Sequence, residues 1–141
     1  MLDFAIEKWN KNKDKLKKYF KEHKQNDYAG NYEDFTKKVI DIIFNDGDYE
    51  FDIKNYFQKI DFGDYQGTLI FVFAYDTYQP SADETFYTTV HYGTCSGCDT
   101  LLSICSWDYE EKPSEEQVKD YMKLALNLIQ EMKCFGGDKG V

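Results

Sequence analysis

Hydrophobic residues in the first 23 positions recur at helical intervals. Leu2, Ile6, Trp9, Leu16, Tyr19 and Phe20 lie near a period of 3.6 residues, with lysines on the other face. The pattern predicts an amphipathic helix over residues 2–23, and its lysine face is a solvated surface by default. Residues 26–30 break it. A second helix is predicted over residues 32–44, where Tyr32, Phe35, Val39, Ile40 and Ile43 share a side. Asn31 stands in a capping position, and the run Asn45, Asp46, Gly47 ends the helix.

The period then changes. Residues 48–53 alternate polar and apolar strictly, as in a half-buried strand. Their acids faintly resemble a calcium loop, but the glycine precedes most of them and no Glu closes the loop. Outward strand carboxylates explain them better. Residues 68–75 form a β-branched and aromatic run expected of a central strand. Residues 79–83 supply turn chemistry, and residues 85–92 read as the antiparallel partner. A short helix is predicted over 99–104. Ser114 and Gln117, after Pro113, occupy capping-box positions for a helix running to about Lys133. That helix is expected to bury Val118, Met122, Ala125, Ile129 and Met132.

Together these elements predict an α+β fold: a three-stranded antiparallel meander packed with about four helices. The chain, residues 1–141, reads as a single domain. Residues 1–46 supply two helices, 47–98 the sheet and a cysteine turn, and 99–135 the C-terminal helices.

Composition narrows the functional classes. The 141 residues are 42% hydrophobic and 18% aromatic, which predicts an ordered fold with a real core. No run approaches 18 apolar residues, so no membrane span is expected. The start has no basic stretch followed by an apolar one, so no secretory signal is expected and a cytoplasmic location is. All 17 basic residues are lysine. An AT-rich genome accounts for that bias, yet the chain has no bidentate arginine with which to bind phosphate. Residues 1–24 hold eight Lys against four acids, a net of +4, and residues 25–141 hold nine Lys against 22 acids, a net of −13. The whole carries −9. A body this acidic repels nucleic acid and is drawn to basic protein surfaces, although solubility alone also explains such a charge.

The chemically distinctive segment is the turn Cys95, Ser96, Gly97, Cys98, between a predicted strand and a predicted helix. In a reducing compartment this spacing points to metal binding or redox chemistry. Both sulfurs can reach one ion at about 2.3 Å, and Gly93 and Gly97 permit the tight backbone of such a knuckle. His91, four residues earlier, is the candidate third ligand. Cys105 is about 10.5 Å of helical rise from Cys98, too far to share the ion. Cys134 could be the fourth ligand only if the last helix ended near the turn. Three readings stay open: a structural Zn²⁺ clip, two thiols packed as small side chains, and a small thiol oxidoreductase using Cys95 and Cys98. Phosphate loops, zinc-protease helices and nucleophile elbows are missing from the sequence. His23 reads as a surface or capping residue.

The run from Tyr92 to Leu101, with Asp64 to Thr68 before it, resembles a family of small phage and prophage proteins. In these a Gly-[Ser/Thr]-Cys-Ser-Gly-Cys-Asp turn follows a β-hairpin. The resemblance covers roughly residues 64–133. Some phage proteins of this size are anti-CRISPR inhibitors, certain of them with a structural zinc. The function it implies, with the charge, is a non-enzymatic phage-encoded inhibitor in the host cytoplasm. The expected partner is a basic host nucleic-acid enzyme such as a Cas9-type nuclease, with no direct nucleic-acid or membrane contact.

Overall fold

Helix α1, Asp3–Glu22, buries Ala5, Leu16 and Phe20, with Leu2 buried just before it. Helix α2, Tyr32–Phe44, has the predicted bounds and hides Tyr32, Phe35, Val39, Ile40, Ile43 and Phe44. Gly47 follows with φ +108°, a conformation that favours glycine and turns the chain away from the helix. This computed structural model describes residues 2–23, 32–47, 50–62, 67–92, 104 and 112–137. The predicted break at 26–30, the Asn31 cap and most of the predicted 99–104 helix lie outside the described residues.

The polar stripe of α1 is not all solvated. Asn12 is fully buried, and its side-chain amide donates to the Ile43 carbonyl (2.8 Å) and to the Asp46 carboxylate (3.1 Å). Lys8 and Lys11 reach the same carboxylate, Lys11 at 3.1 Å. Asp46 follows the C-terminus of α2, where the helix dipole disfavours negative charge. The two α1 ammoniums offset that and tie the helices together.

Four strands form one antiparallel sheet in the order β1–β2–β3–β4: β1 Phe57–Phe62, β2 Gly67–Ala74, β3 Thr85–Tyr92 and β4 Lys133–Cys134. The predicted pair 68–75 and 85–92 is present, with Phe71 opposite Thr88 and Gly67 opposite Tyr92. The three-stranded expectation is corrected in two places. First, residues 50–53, the described part of the predicted 48–53 strand, do not form the first strand. Of the described residues there, only Phe51 makes a ladder contact, an isolated bridge to Tyr75. Asp52 turns the chain instead, its carboxylate taking the Asn55 amide (3.0 Å) and its carbonyl the Tyr56 amide (2.8 Å). The strand follows at Phe57. Second, β4 adds an edge after the last helix, α3, Glu115–Gln130. Helix α3 begins on the predicted Ser114–Gln117 capping box and stops three residues early, because Lys133 and Cys134 join the ladder. The described residues hold three α-helices and a short 3-10 turn, Ala82–Glu84.

The inward face of the sheet carries Leu69, Phe71, Phe73, Phe86, Thr88 and Val90, all buried. Helix α3 is pinned there by the Thr88 hydroxyl, which donates to the Leu128 carbonyl. Helix α1 meets the sheet through Phe4 on Phe86, with ring centroids 5.4 Å apart. Phe51 stacks on Tyr75 (4.6 Å) and meets Phe44, Phe73 and Phe86 edge-on. A second aromatic group, Phe20, Phe35 and Tyr121, joins the three helices.

Candidate functional site

Strands β2 and β3 have two ends of different chemistry. The Tyr92 end leads toward the cysteine turn. Cys95 and Cys98 lie outside the described residues, as does Cys105, so of the proposed zinc ligands the structure describes His91 alone. His91 is exposed on the outward face of β3, directly across from Thr68. Its Nδ1 lies 3.2 Å from the Thr68 hydroxyl. That contact orients the ring and leaves Nε2 as the nitrogen able to bind an ion. Among the described residues no group of three or more His, Cys, Asp or Glu side chains could hold a metal.

Cys134 is excluded as a partner of His91. It pairs with Phe86, five residues before His91 on β3, which places the two roughly 17 Å apart along the strand. Helix α3 ends near the Thr85 end of β3, away from Tyr92. Cys134 is buried there, its sulfur 3.6 Å from the Ala82 and Asp83 carbonyl oxygens, and acts as a packed thiol. His23, expected at the surface, is exposed and stacks on Tyr19 at 4.4 Å, with Nδ1 2.9 Å from the Tyr19 carbonyl.

The Ala74 end gathers acids from three loops. Glu50 and Asp52 precede β1, Asp76 follows β2, and Asp83 and Glu84 lie in the 3-10 turn before β3. Backbone bonds hold them together: Asp76 N–H to the Glu50 carbonyl (2.8 Å), Tyr75 N–H to the Glu84 carbonyl (3.0 Å) and Asp52 N–H to the Ala74 carbonyl (3.0 Å). Asn45 extends the array, because its side chain accepts from the Phe51 amide (2.7 Å) and donates to the Phe51 carbonyl (3.0 Å), as a neighbouring strand would. Several carboxylates also cap local backbone. Glu50 takes the Gly47 amide (2.8 Å), and Glu84 takes the Ser81 amide (3.1 Å) and hydroxyl (3.0 Å).

Apolar surface sits among these acids. Tyr78, on the loop between β2 and the 3-10 turn, is 87% exposed. Gln79 beside it has φ +49°, unusual for a residue other than glycine. A hollow of about 450 Å³ opens nearby, lined in part by Tyr56, Val72, Ala74, Pro80 and Thr85. Residues 79–83 carry turn chemistry in the sequence, and Tyr78 just before them does not stand out there. The available signal was an aromatic residue placed in a polar turn, where no core can claim it. Comparison with family models, curated proteins and solved structures finds no match to this chain.

Proposed function

We propose that this protein acts by binding, not catalysis, and that the acidic end of its sheet docks on a basic protein surface. One observation carries the reading: five acids, an almost fully exposed Tyr78 and a hollow of mixed polar and apolar lining share one end of the sheet. Exposed aromatics that bury on contact contribute most of the energy in many interfaces, and surrounding charge sets orientation and association rate. The apolar part of the hollow can cover the aliphatic stem of a lysine or arginine, while the acids of the same sheet end attract its charged head. The partner in its most specific form is a host enzyme that handles nucleic acid, with a Cas9-type nuclease the leading candidate. That choice draws on the phage-family resemblance and on the net charge of −9. In the same reading Cys95 and Cys98, with His91 as third ligand, hold a structural Zn²⁺ between strand end and following helix.

The test is retention of purified Cas9-type and restriction nucleases by the immobilised protein at low salt. Binding that weakens as salt rises, and falls at least about thirtyfold in Tyr78→Ala, is the expected result. Failure to retain any such enzyme, or unchanged binding by Tyr78→Ala, overturns it. Elemental analysis should find one zinc per chain, lost in Cys95→Ser along with part of the thermal stability.

A further inference from the structure

We infer that the groove between α1 and α3 is a second binding site, for an acidic amphipathic helix of a partner protein. The groove is about 910 Å³. Its floor is apolar: Trp9 comes from α1, and Val118, Met122 and Leu126 come from α3. Lys13, Lys17 and Lys21 line one wall at successive helical turns, spanning about 12 Å. Lys119 and Lys123, one turn apart, line the other. Asp14 and Glu115 are the acids of the lining. Among the described residues, none of these five lysines is ion-paired, whereas Lys8 and Lys11 on the same helix are bound to Asp46.

Charge and shape together select the occupant. A single anionic headgroup would engage one or two ammoniums, while two rows of lysine, the longer spanning just over two turns, match negative charge distributed along a rod. An apolar strip between charged walls is the form that receives a helix with apolar residues at i, i+3, i+4 and i+7. Methionine and leucine on the floor adapt to such side chains. A nucleic-acid strand fits less well. The floor offers one aromatic ring for stacking, the walls offer no arginine, and the rest of the molecule repels phosphate. This site is separate from the acidic sheet end and opposite to it in charge, so either can fail without the other.

The experiment is a fluorescence-anisotropy titration of the full chain with a labelled synthetic helical peptide of about 16 residues, leucine at the apolar heptad positions and glutamate elsewhere. Saturable, salt-sensitive binding is expected. It should weaken at least about tenfold in Lys17→Glu/Lys119→Glu, while Lys54→Glu/Lys59→Glu, the same charge change away from the groove, has little effect. These lysines are exposed, so the variants should fold, and circular dichroism checks that. Equal binding of a scrambled peptide of the same composition, equal loss in both double variants, tighter binding of oligo-dT, or no binding overturns the assignment.

Discussion

The acidic end of the sheet and the lysine-lined groove between α1 and α3 carry opposite charge and are built in opposite ways. At the sheet end, Glu50, Asp52 and Glu84 are fastened to backbone amides, and Asn45 binds the Phe51 backbone. Charge and architecture are the same atoms there. Along the groove the five lysines stand on regular helix, and the helices are held by other residues, Phe20, Phe35 and Tyr121 among them. Charge at the groove is therefore separable from folding, while charge at the sheet end is only partly so. Substitutions can be read as binding effects directly at the groove. At the sheet end they must be chosen away from the caps, which is why Tyr78 is the cleaner probe.

Four substitutions test that contrast. Phe51→Ala should have the largest effect, because its ring meets Phe44, Phe73, Tyr75 and Phe86 at the base of the acidic loops. A loss of about 3–5 kcal/mol is expected in denaturant unfolding. A loss under about 1 kcal/mol would mean that these loops do not depend on the core beneath them. Asn45→Ala removes both side-chain bonds to the Phe51 backbone and should cost about 1–3 kcal/mol, measured the same way. The smallest effect belongs to the groove. Lys17→Ala and Lys119→Ala should each change stability by no more than about 0.5 kcal/mol, since neither side chain has an ion-pair partner among the described residues. A larger loss would show the lysines to be structural and would erase the contrast.

What the chain disclosed in advance follows from how strictly each segment obeys one period. Helix α2 has an apolar stripe and a glycine stop, and its bounds and buried residues were legible. Strands β2 and β3 are β-branched and aromatic and were legible too. Strand β1 was not. Its apolar residues fall on both faces, with Phe57 inward and Ile60 and Phe62 outward, so no alternation marks it. Two-residue β4 has no pattern of its own. In α3 the predicted stripe Val118, Met122, Ala125, Ile129 includes Met122, which is only half-buried, and omits Tyr121, Leu124 and Leu128, which are buried. The helix faces three neighbours, α1 and α2 through Tyr121 and β3 through Leu128, so its buried surface is wider than one stripe. Of the candidate sites, His91 was legible as a histidine at a strand end. The sheet-end acids and the groove come from segments far apart in sequence, and only the fold brings them together.

Asn12 bears on how α1 finds its place. An all-aliphatic stripe can shift along a neighbouring helix by one turn, about 5.4 Å, and still bury its side chains. Asn12 removes that freedom. Its amide finds two acceptors in the observed docking, where the Ile43 carbonyl and the Asp46 carboxylate meet at the end of α2. In any shifted docking the amide would be buried without partners, a penalty of about 1–3 kcal/mol for each such misalignment. A single polar side chain thus acts as an indexing pin, giving up some hydrophobic energy so that one alignment of α1 on α2 stands clear of its near-copies.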